Sequence, residues 1–242
     1  LIIIQNKKKY VLKISNPLES LNILQYQDRL IKHLSNTDDL KKYIPQIFHN
    51  KIVKYLDKIN RECFVRILSY IEGQMYGDIN TNIVIEKSLG ELLGKISIQL
   101  KSFFDKAAYR KFIWDPSNIN WIYKDIKNFT GNKKLILLKC FSEYKKFVKD
   151  NLKRLRYSIT HSDPNNFNLV VKNNKVNGLL DYGDSIYAPS INDLSIALSY
   201  ALMNSNNFYK SLKNIVGSYN NINPLTKDEI YSLLGLIKSR LT

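Results

Sequence analysis

Two segments, ITHSDPNNFNLVV at 159–171 and VNGLLDYGD at 176–184, are joined by the four residues KNNK. No other part of the chain constrains its fold as much. An apolar run, a polar turn and a second apolar run read as a tight β-hairpin. A hairpin returns the end of its second strand to the start of its first. Asp181 therefore comes back beside Asp163 and Asn168. Two carboxylates and a carboxamide at one hairpin mouth suit a hard divalent cation bound through oxygen. An Asn-rich loop alone could equally be a plain turn between strands, so the surrounding order of residues has to decide.

That order matches the needs of phosphoryl transfer. An aspartate must position or deprotonate the attacking hydroxyl, while an asparagine and a second aspartate hold Mg²⁺ against the phosphates. The protein-kinase pattern is H-x-D, an Asn five residues after the Asp, then D-[FY]-G. Here the chain reads His161-Ser162-Asp163, then Asn168, then Asp181-Tyr182-Gly183. A lone H-x-D is a weak signal, whereas the ordered triple with a strand, turn and strand inside it is a strong one. The same pattern asks for a lysine on an early strand to meet the nucleotide phosphates. YVLKI supplies Lys13, with Val11 on the same strand face.

The rest of the chain divides into two parts. LIIIQ and KYVLKI read as strands around a short polar turn, and IPQIFHNKIVKYLDKINRECFVRILSYIEG reads as further strands with a turn near Lys58–Arg61. A helix is expected between them over 18–35. From residue 85 apolar groups recur every three to four residues, which predicts helices over EKSLGELLGKISIQLKSFF and 135–155. DLSIALSYALM is apolar nearly all round and is expected to be a buried helix, and the C-terminal stretch is helical. The expectation is an α+β fold: a small β-rich lobe over 1–72 and a larger, mostly helical lobe over 73–242 that carries the hairpin. A cleft between lobes is the default place for a ligand.

Read together, YVLKISNP, YQDRLIKHL, VRILSYIEG, LGELLGKI, FIWDPSNI, ITHSDPNNFNLVV, GLLDYGDSIYAPSINDLSIALSYALM and NPLT resemble the aminoglycoside phosphotransferase/choline kinase superfamily. Within it, the chain is similar to the hydroxylysine kinase group, which also occurs fused to aminotransferase domains. The resemblance runs almost end to end. It implies a protein-kinase-like fold and a kinase of a small hydroxylated amine or amino acid, using ATP or GTP with Mg²⁺. It implies that Lys13 holds the nucleotide phosphates, Asp163 is the catalytic base, Asn168 and Asp181 bind Mg²⁺, and His161 braces the loop. Asp184 faces metal or substrate, and Asn165 and Asn166 act as spacers. Asp193 is expected to be a buried carboxylate or helix cap that bonds loop backbone. Glu72, Asp78 and Asp115 join Asp184 as acidic groups that could receive an acceptor amine, with solvated charge the commoner fate of each.

The chain departs from the family pattern in four places. Ser162 stands where the superfamily usually has Gly. Tyr182 replaces Phe and adds a hydroxyl that needs a partner or solvent. The acidic helix residue that usually pairs with the lysine is missing, and Gln27, fourteen residues after Lys13, is expected to orient it instead. Finally, the chain starts after the family's first strand and phosphate-covering loop and ends in a helical pattern with no stop signal, so it reads as a fragment.

Composition bounds the remaining possibilities. The formal charge is +16 and the pI about 9.6, which favours anionic partners. The 37 basic residues include only seven Arg, and aromatic-interleaved basic patches of the kind that bind single strands are missing, so nucleic acid is not an expected partner. Cys63 and Cys140 lie far apart in apolar surroundings, without metal-ligand spacing, which fits a reducing, cytoplasmic location. No apolar run approaches a membrane span. The alternative function is a catalytically silent kinase-like domain with a regulatory or scaffolding role in a larger fused protein. The sequence names neither the acceptor nor the choice of ATP over GTP.

Overall fold

A computed structural model describes residues 1–203, 205 and 207–242, less the side chains of 49 and 50. Strands β1 (Ile2–Gln5) and β2 (Lys8–Ile14) form a hairpin whose two turn residues, Asn6 and Lys7, have φ of 50° and 62°. Such left-handed pairs match the twist of the flanking strands. Helix α1 (Leu21–Ser35) follows, capped by Ser20, whose hydroxyl accepts from the Ile23 N–H. Its buried residues Leu24, Gln27, Leu30, Ile31 and Leu34 recur at three- and four-residue spacing. A short helix α2 (Asp38–Lys41) leads to β3 (Ile47–Leu56) and β4 (Glu62–Ser69). These strands make an antiparallel sheet of order β1-β2-β4-β3, in which Lys13 lies directly opposite Arg66.

The remaining elements build a largely helical body. Strand β5 (Gln74–Met75) is followed by α3 (Ile83–Leu100) and α4 (Gly131–Phe147). Then come β6 (Tyr157–Thr160), β7 (Leu169–Lys172), β8 (Lys175–Leu179) and β9 (Ile186–Pro189). Helices α5 (Asn192–Met203), α6 (Phe208–Ile222) and α7 (Lys227–Leu241) complete the chain. The expected hairpin is β7–β8, turned at Asn173 and Asn174 with φ of 52° and 60°. Strand β5 pairs on its outer side, while β6 and β9 pair separately, Tyr157 opposite Pro189.

The core runs through Leu89, Leu93 and Ile96 of α3, Leu194, Ile196 and Leu198 of α5, and Leu236 of α7. Full burial of such side chains is worth about 1.5–3 kcal/mol each, enough to hold α5 helical despite its serines. Ser195 and Ser199 donate their hydroxyls back to the carbonyls of Asn192 and Ser195, so neither hydroxyl is stranded. Helices α3 and α6 cross closely at Gly90, where a Cβ would stand 2.1 Å from the Ile215 carbonyl oxygen. The start of α7 is fixed by a reciprocal capping box between Thr226 and Glu229 and by the Arg156–Glu229 ion pair at 2.6 Å. Among the described residues, no helix is long and apolar enough to cross a membrane.

Candidate active site

The hairpin geometry brings Asp163, Asp181 and Asp184 to one cleft, with Asn168 bonded to Asp163 and His161 buried behind them. The Leu180 N–H donates to the Asn168 carbonyl at 2.7 Å, so Asp181 emerges beside the 161–168 loop. Lys13, from the β-sheet, reaches across the cleft and places Nζ 2.8 Å from Asp181 Oδ1. The cleft has a volume of about 490 Å³, and Lys13, Gln27, Arg66, Asp163, Asp181 and Asp184 are among its lining residues. Burial pushes the Asp181 carboxyl up, but the Lys13 ammonium more than offsets this and holds it below the usual range. Burial also raises Asp184, and the neighbouring Asp181 charge adds to the effect.

Asp163 is held from several sides. Its Oδ2 accepts from Asn165 Nδ2 at 2.7 Å and Asn168 Nδ2 at 2.9 Å, and its Oδ1 accepts from Arg240 at 2.7 Å. Burial pushes its carboxyl up to about 6 against the pull of Arg240, with Asp184 reinforcing the rise. Asn165, read as a spacer, instead organises the loop: its Oδ1 also accepts the N–H groups of Phe167 and Asn168. Asn166 bonds through its backbone carbonyl to the Gly77 N–H.

Asp193, at the start of α5, accepts the N–H groups of His161 and Ser162 at 2.9 and 2.8 Å and is 4% exposed. This is the buried, backbone-bonded carboxylate the sequence predicts. Burial pushes it up to about 6 despite those two donors. Ser162 has φ of 68°, which explains why Gly is favoured there. A non-glycine residue in this conformation costs about 1–2 kcal/mol. Here the Ser162 N–H bonds Asp193 and its hydroxyl bonds Thr160 Oγ1 at 2.7 Å, which offsets the strain. Tyr182 packs edge-on to His161 at 4.7 Å, and among the described residues its buried hydroxyl has no hydrogen-bond partner.

His161 is fully buried and neutral. Its Nε2 donates to the Leu180 carbonyl at 2.8 Å, and its Nδ1 accepts the Asp163 N–H at 3.2 Å. The ring thus ties the loop to the end of β8. Burial lowers its pKa to about 4, with the Leu180 carbonyl opposing. The unfolded imidazole takes up its proton near pH 6.5 while the folded one resists until about 4. His161 therefore contributes its full stability above 6.5 and loses it as pH falls. At pH 5 the loss is about 2 kcal/mol. The stability gap between wild type and His161→Gln, from urea unfolding, is expected to shrink by that amount from pH 7 to pH 5. A gap that does not change with pH would contradict this.

The partner expected for Lys13 is different. Gln27 does not bond Lys13: its Oε1 accepts from Arg66, and its Nε2 donates to Glu19 at 3.3 Å. Arg66, 6% exposed, also reaches Asp28 at 2.7 Å. The reason is register. Arg66 lies opposite Lys13 and stands between the sheet and α1, so the buried guanidinium claims the amide. Asp181 takes Lys13 instead. Of the acidic residues proposed for an amine, Asp184 lines the cleft, Glu72 pairs with Lys9, Asp78 is exposed, and Asp115 accepts from Ser117 and Asn192. Arg240 was not legible in the sequence; a cation in the last turn of a helix is an ordinary dipole partner.

Among the described residues, no cluster of three or more His, Cys, Asp or Glu side chains forms a self-sufficient metal cage. The donor set still suits Mg²⁺, which keeps several waters and takes one or two carboxylates plus substrate phosphates. Asn168 commits its Nδ2 to the Asp163 carbonyl and carboxylate, which fixes the carboxamide and leaves its Oδ1 as a donor. Asp181 uses Oδ1 for Lys13 and Gly183, leaving Oδ2.

A family model described as the phosphotransferase enzyme family matches residues 1–214. A hydroxylysine kinase of Xenopus laevis is 26% identical over 97% of this chain and 68% of its own length. A hydroxylysine kinase of Mus musculus is 23% identical over the same shares. Among solved structures, a microcompartment-associated aminopropanol kinase aligns with a TM-score of 0.77 at 13% identity, covering 99% of this chain and 77% of that one. Amicoumacin kinase hAmiN, in complex with AMP-PNP, Ca²⁺ and Ami, aligns at 0.74 and 15% identity, covering 98% and 73%.

Proposed function

The chain belongs to the phosphotransferase enzyme family, and on that premise we propose that it transfers the γ-phosphoryl of ATP or GTP to a hydroxyl of a small amine or amino acid. The observation that carries this reading is the Lys13–Asp181 pair, which spans the cleft with Asp163 and Asp184 on the same wall. The relatives support the acceptor class, since hydroxylysine and aminopropanol each combine a hydroxyl with an amine.

In this reading Lys13 meets the nucleotide phosphates, and Gln27 holds Arg66 in the wall beside them. Asp163 takes the proton of the acceptor hydroxyl as its oxygen attacks the γ-phosphorus. The bond from the γ-phosphorus to the bridging oxygen breaks, and its electron pair leaves with the nucleoside diphosphate. Asn168 Oδ1 and Asp181 Oδ2 would hold Mg²⁺, which when bound offsets the phosphate charge. His161 and Asp193 keep the loop in place, and Asp184 offers a carboxylate to the acceptor amine or the metal. Cytoplasmic residence, supported by the two separate free cysteines, and fusion to another catalytic domain, supported by the resemblance alone, are part of the same proposal.

The test is nucleotide consumption against a panel of amino alcohols, hydroxy amino acids and aminoglycosides, with the phosphorylated acceptor identified by mass. Transfer is expected with at least one acceptor, to stop when EDTA removes the metal, and to return with Mg²⁺. Nucleotide hydrolysis with no phosphorylated acceptor in the panel, or transfer indifferent to EDTA, would overturn the proposal.

A further inference from the structure

We infer that Arg240 is a positioning residue for Asp163: it fixes the carboxylate so that one lone pair of Oδ1 faces the acceptor hydroxyl. The inference rests on the kinase reading above. An ionised carboxylate offers about four lone-pair sites. Asn165 and Asn168 take the two on Oδ2, and Arg240 takes one on Oδ1. One remains, on the oxygen that Arg240 holds.

Arg240 is itself immobilised. Its side chain is 9% exposed and reaches Asp163 from the last turn of α7. One guanidinium nitrogen donates to the Trp114 carbonyl at 3.2 Å, and another to the Tyr200 hydroxyl at 3.2 Å. The guanidinium also sits 5.6 Å from the Tyr200 ring centre. Helix α7 is anchored at its other end by the Thr226–Glu229 box and the Arg156–Glu229 pair. A planar, multiply held fork fixes the orientation of its partner, which a flexible ammonium does not.

The local sequence supplies no cation for this purpose. The loop has neutral Asn165 two residues after Asp163, and an acid, Asp184, follows the Asp181-Tyr182-Gly183 turn. Among the described residues, Arg240 is the ion-pair partner of Asp163. It also lines an apolar pocket of about 200 Å³ with Trp114, Trp121 and Phe129, and it is not among the residues lining the cleft shared by Lys13 and Gln27. Its loss is therefore expected to register in turnover and on the acceptor side, while nucleotide binding is untouched.

The experiment compares wild type, Arg240→Ala, Arg240→Gln, Arg240→Lys and Asp163→Asn, each checked for folding by its thermal transition. Arg240→Ala is expected to lower kcat about 100-fold, the cost of a reacting group misplaced by about 1 Å, with nucleotide KM unchanged. Millimolar guanidinium is expected to restore part of that turnover in Arg240→Ala and none in Asp163→Asn, and Arg240→Lys to fall between. If Arg240→Ala does not fold, Arg240→Gln, which keeps bulk and hydrogen bonding without the charge, carries the same expectation of lost kcat and guanidinium rescue. A folded variant with wild-type kcat, or one that neither guanidinium nor lysine rescues, overturns the inference while leaving the kinase reading intact. A wild type that phosphorylates no acceptor overturns both.

Discussion

Replacing Asp163 with Asn is expected to lower acceptor phosphorylation by about 1,000-fold, within the range that a positioned general base contributes. The substitution keeps size and removes the carboxylate to which the proposed function gives the hydroxyl proton. Its structural consequences are also calculable. Oδ1 receives Arg240 and Oδ2 receives two Asn amides, so every protein contact to this carboxylate is a donor. A carboxamide must turn its NH₂ toward one set or the other. Facing Arg240, it leaves the guanidinium without its acceptor; facing the loop, it opposes two amides. Either arrangement costs about 1–3 kcal/mol. Nucleotide binding, which the proposed function assigns to Lys13 rather than to Asp163, should persist. The measurement is kcat for the best acceptor alongside nucleotide affinity by calorimetry. Retained affinity with lost transfer separates a catalytic role from general damage. Turnover within tenfold of wild type would remove Asp163 from the chemistry and pass the base role to another group of the cleft wall, such as Asp184.

What the sequence made legible, and what it did not, follows the range of the interactions. The β7–β8 hairpin was readable because its register is set within a few residues, by an Asn-Asn turn between apolar runs. Helix α5 was readable from an apolar pattern that no solvent-facing helix carries. Asp193 could be assigned to the loop backbone because a carboxylate opening a buried helix needs donors, and His161 and Ser162 are the ones it finds. The partner of Lys13 could not be assigned by counting along α1. It depends on the cross-strand register that sets Arg66 opposite Lys13, and that arginine takes Gln27. Arg240 was further out of reach. It meets Asp163 across 77 residues, from a helix whose periodicity gives its buried face but not which side chain extends to a distant loop. Asn165 was passed over for a different reason: in a run of asparagines nothing marks which amide bridges. The β6–β9 pair was missed because IYAP is short and ends in Pro, which weakens any strand signal even at a sheet edge.

The second large effect concerns the support of the loop rather than its chemistry. Asp193→Asn is expected to destabilise the protein by about 1–2 kcal/mol, because losing a charge that burial disfavours offsets part of the lost hydrogen bonding, and to lower kcat at least tenfold. In the wild type each carboxylate oxygen accepts one buried N–H, Oδ2 from His161 and Oδ1 from Ser162. An amide can accept only one of them, and its NH₂ then confronts the other. A buried N–H without an acceptor costs about 1–3 kcal/mol, and a hydrogen bond to a charged group about 1.5–3 kcal/mol. The position is unforgiving because Ser162 already sits at φ of 68°, so the loop has little conformational alternative when the donor is released. The rate should fall because Asp163 is the next residue, and its own N–H is oriented by His161 Nδ1. Once the 161–162 backbone shifts, the carboxylate is displaced from the acceptor by a distance to which phosphoryl transfer is sensitive. Urea unfolding at pH 7 gives the stability change at unchanged slope, and steady-state kinetics give the rate. Ser162→Gly in the Asp193→Asn background is expected to recover some stability by relieving the left-handed strain, and little of the rate, since it restores no acceptor for the loop N–H groups. Full recovery of both would show that backbone strain, not the Asp193 carboxylate, governs the loop.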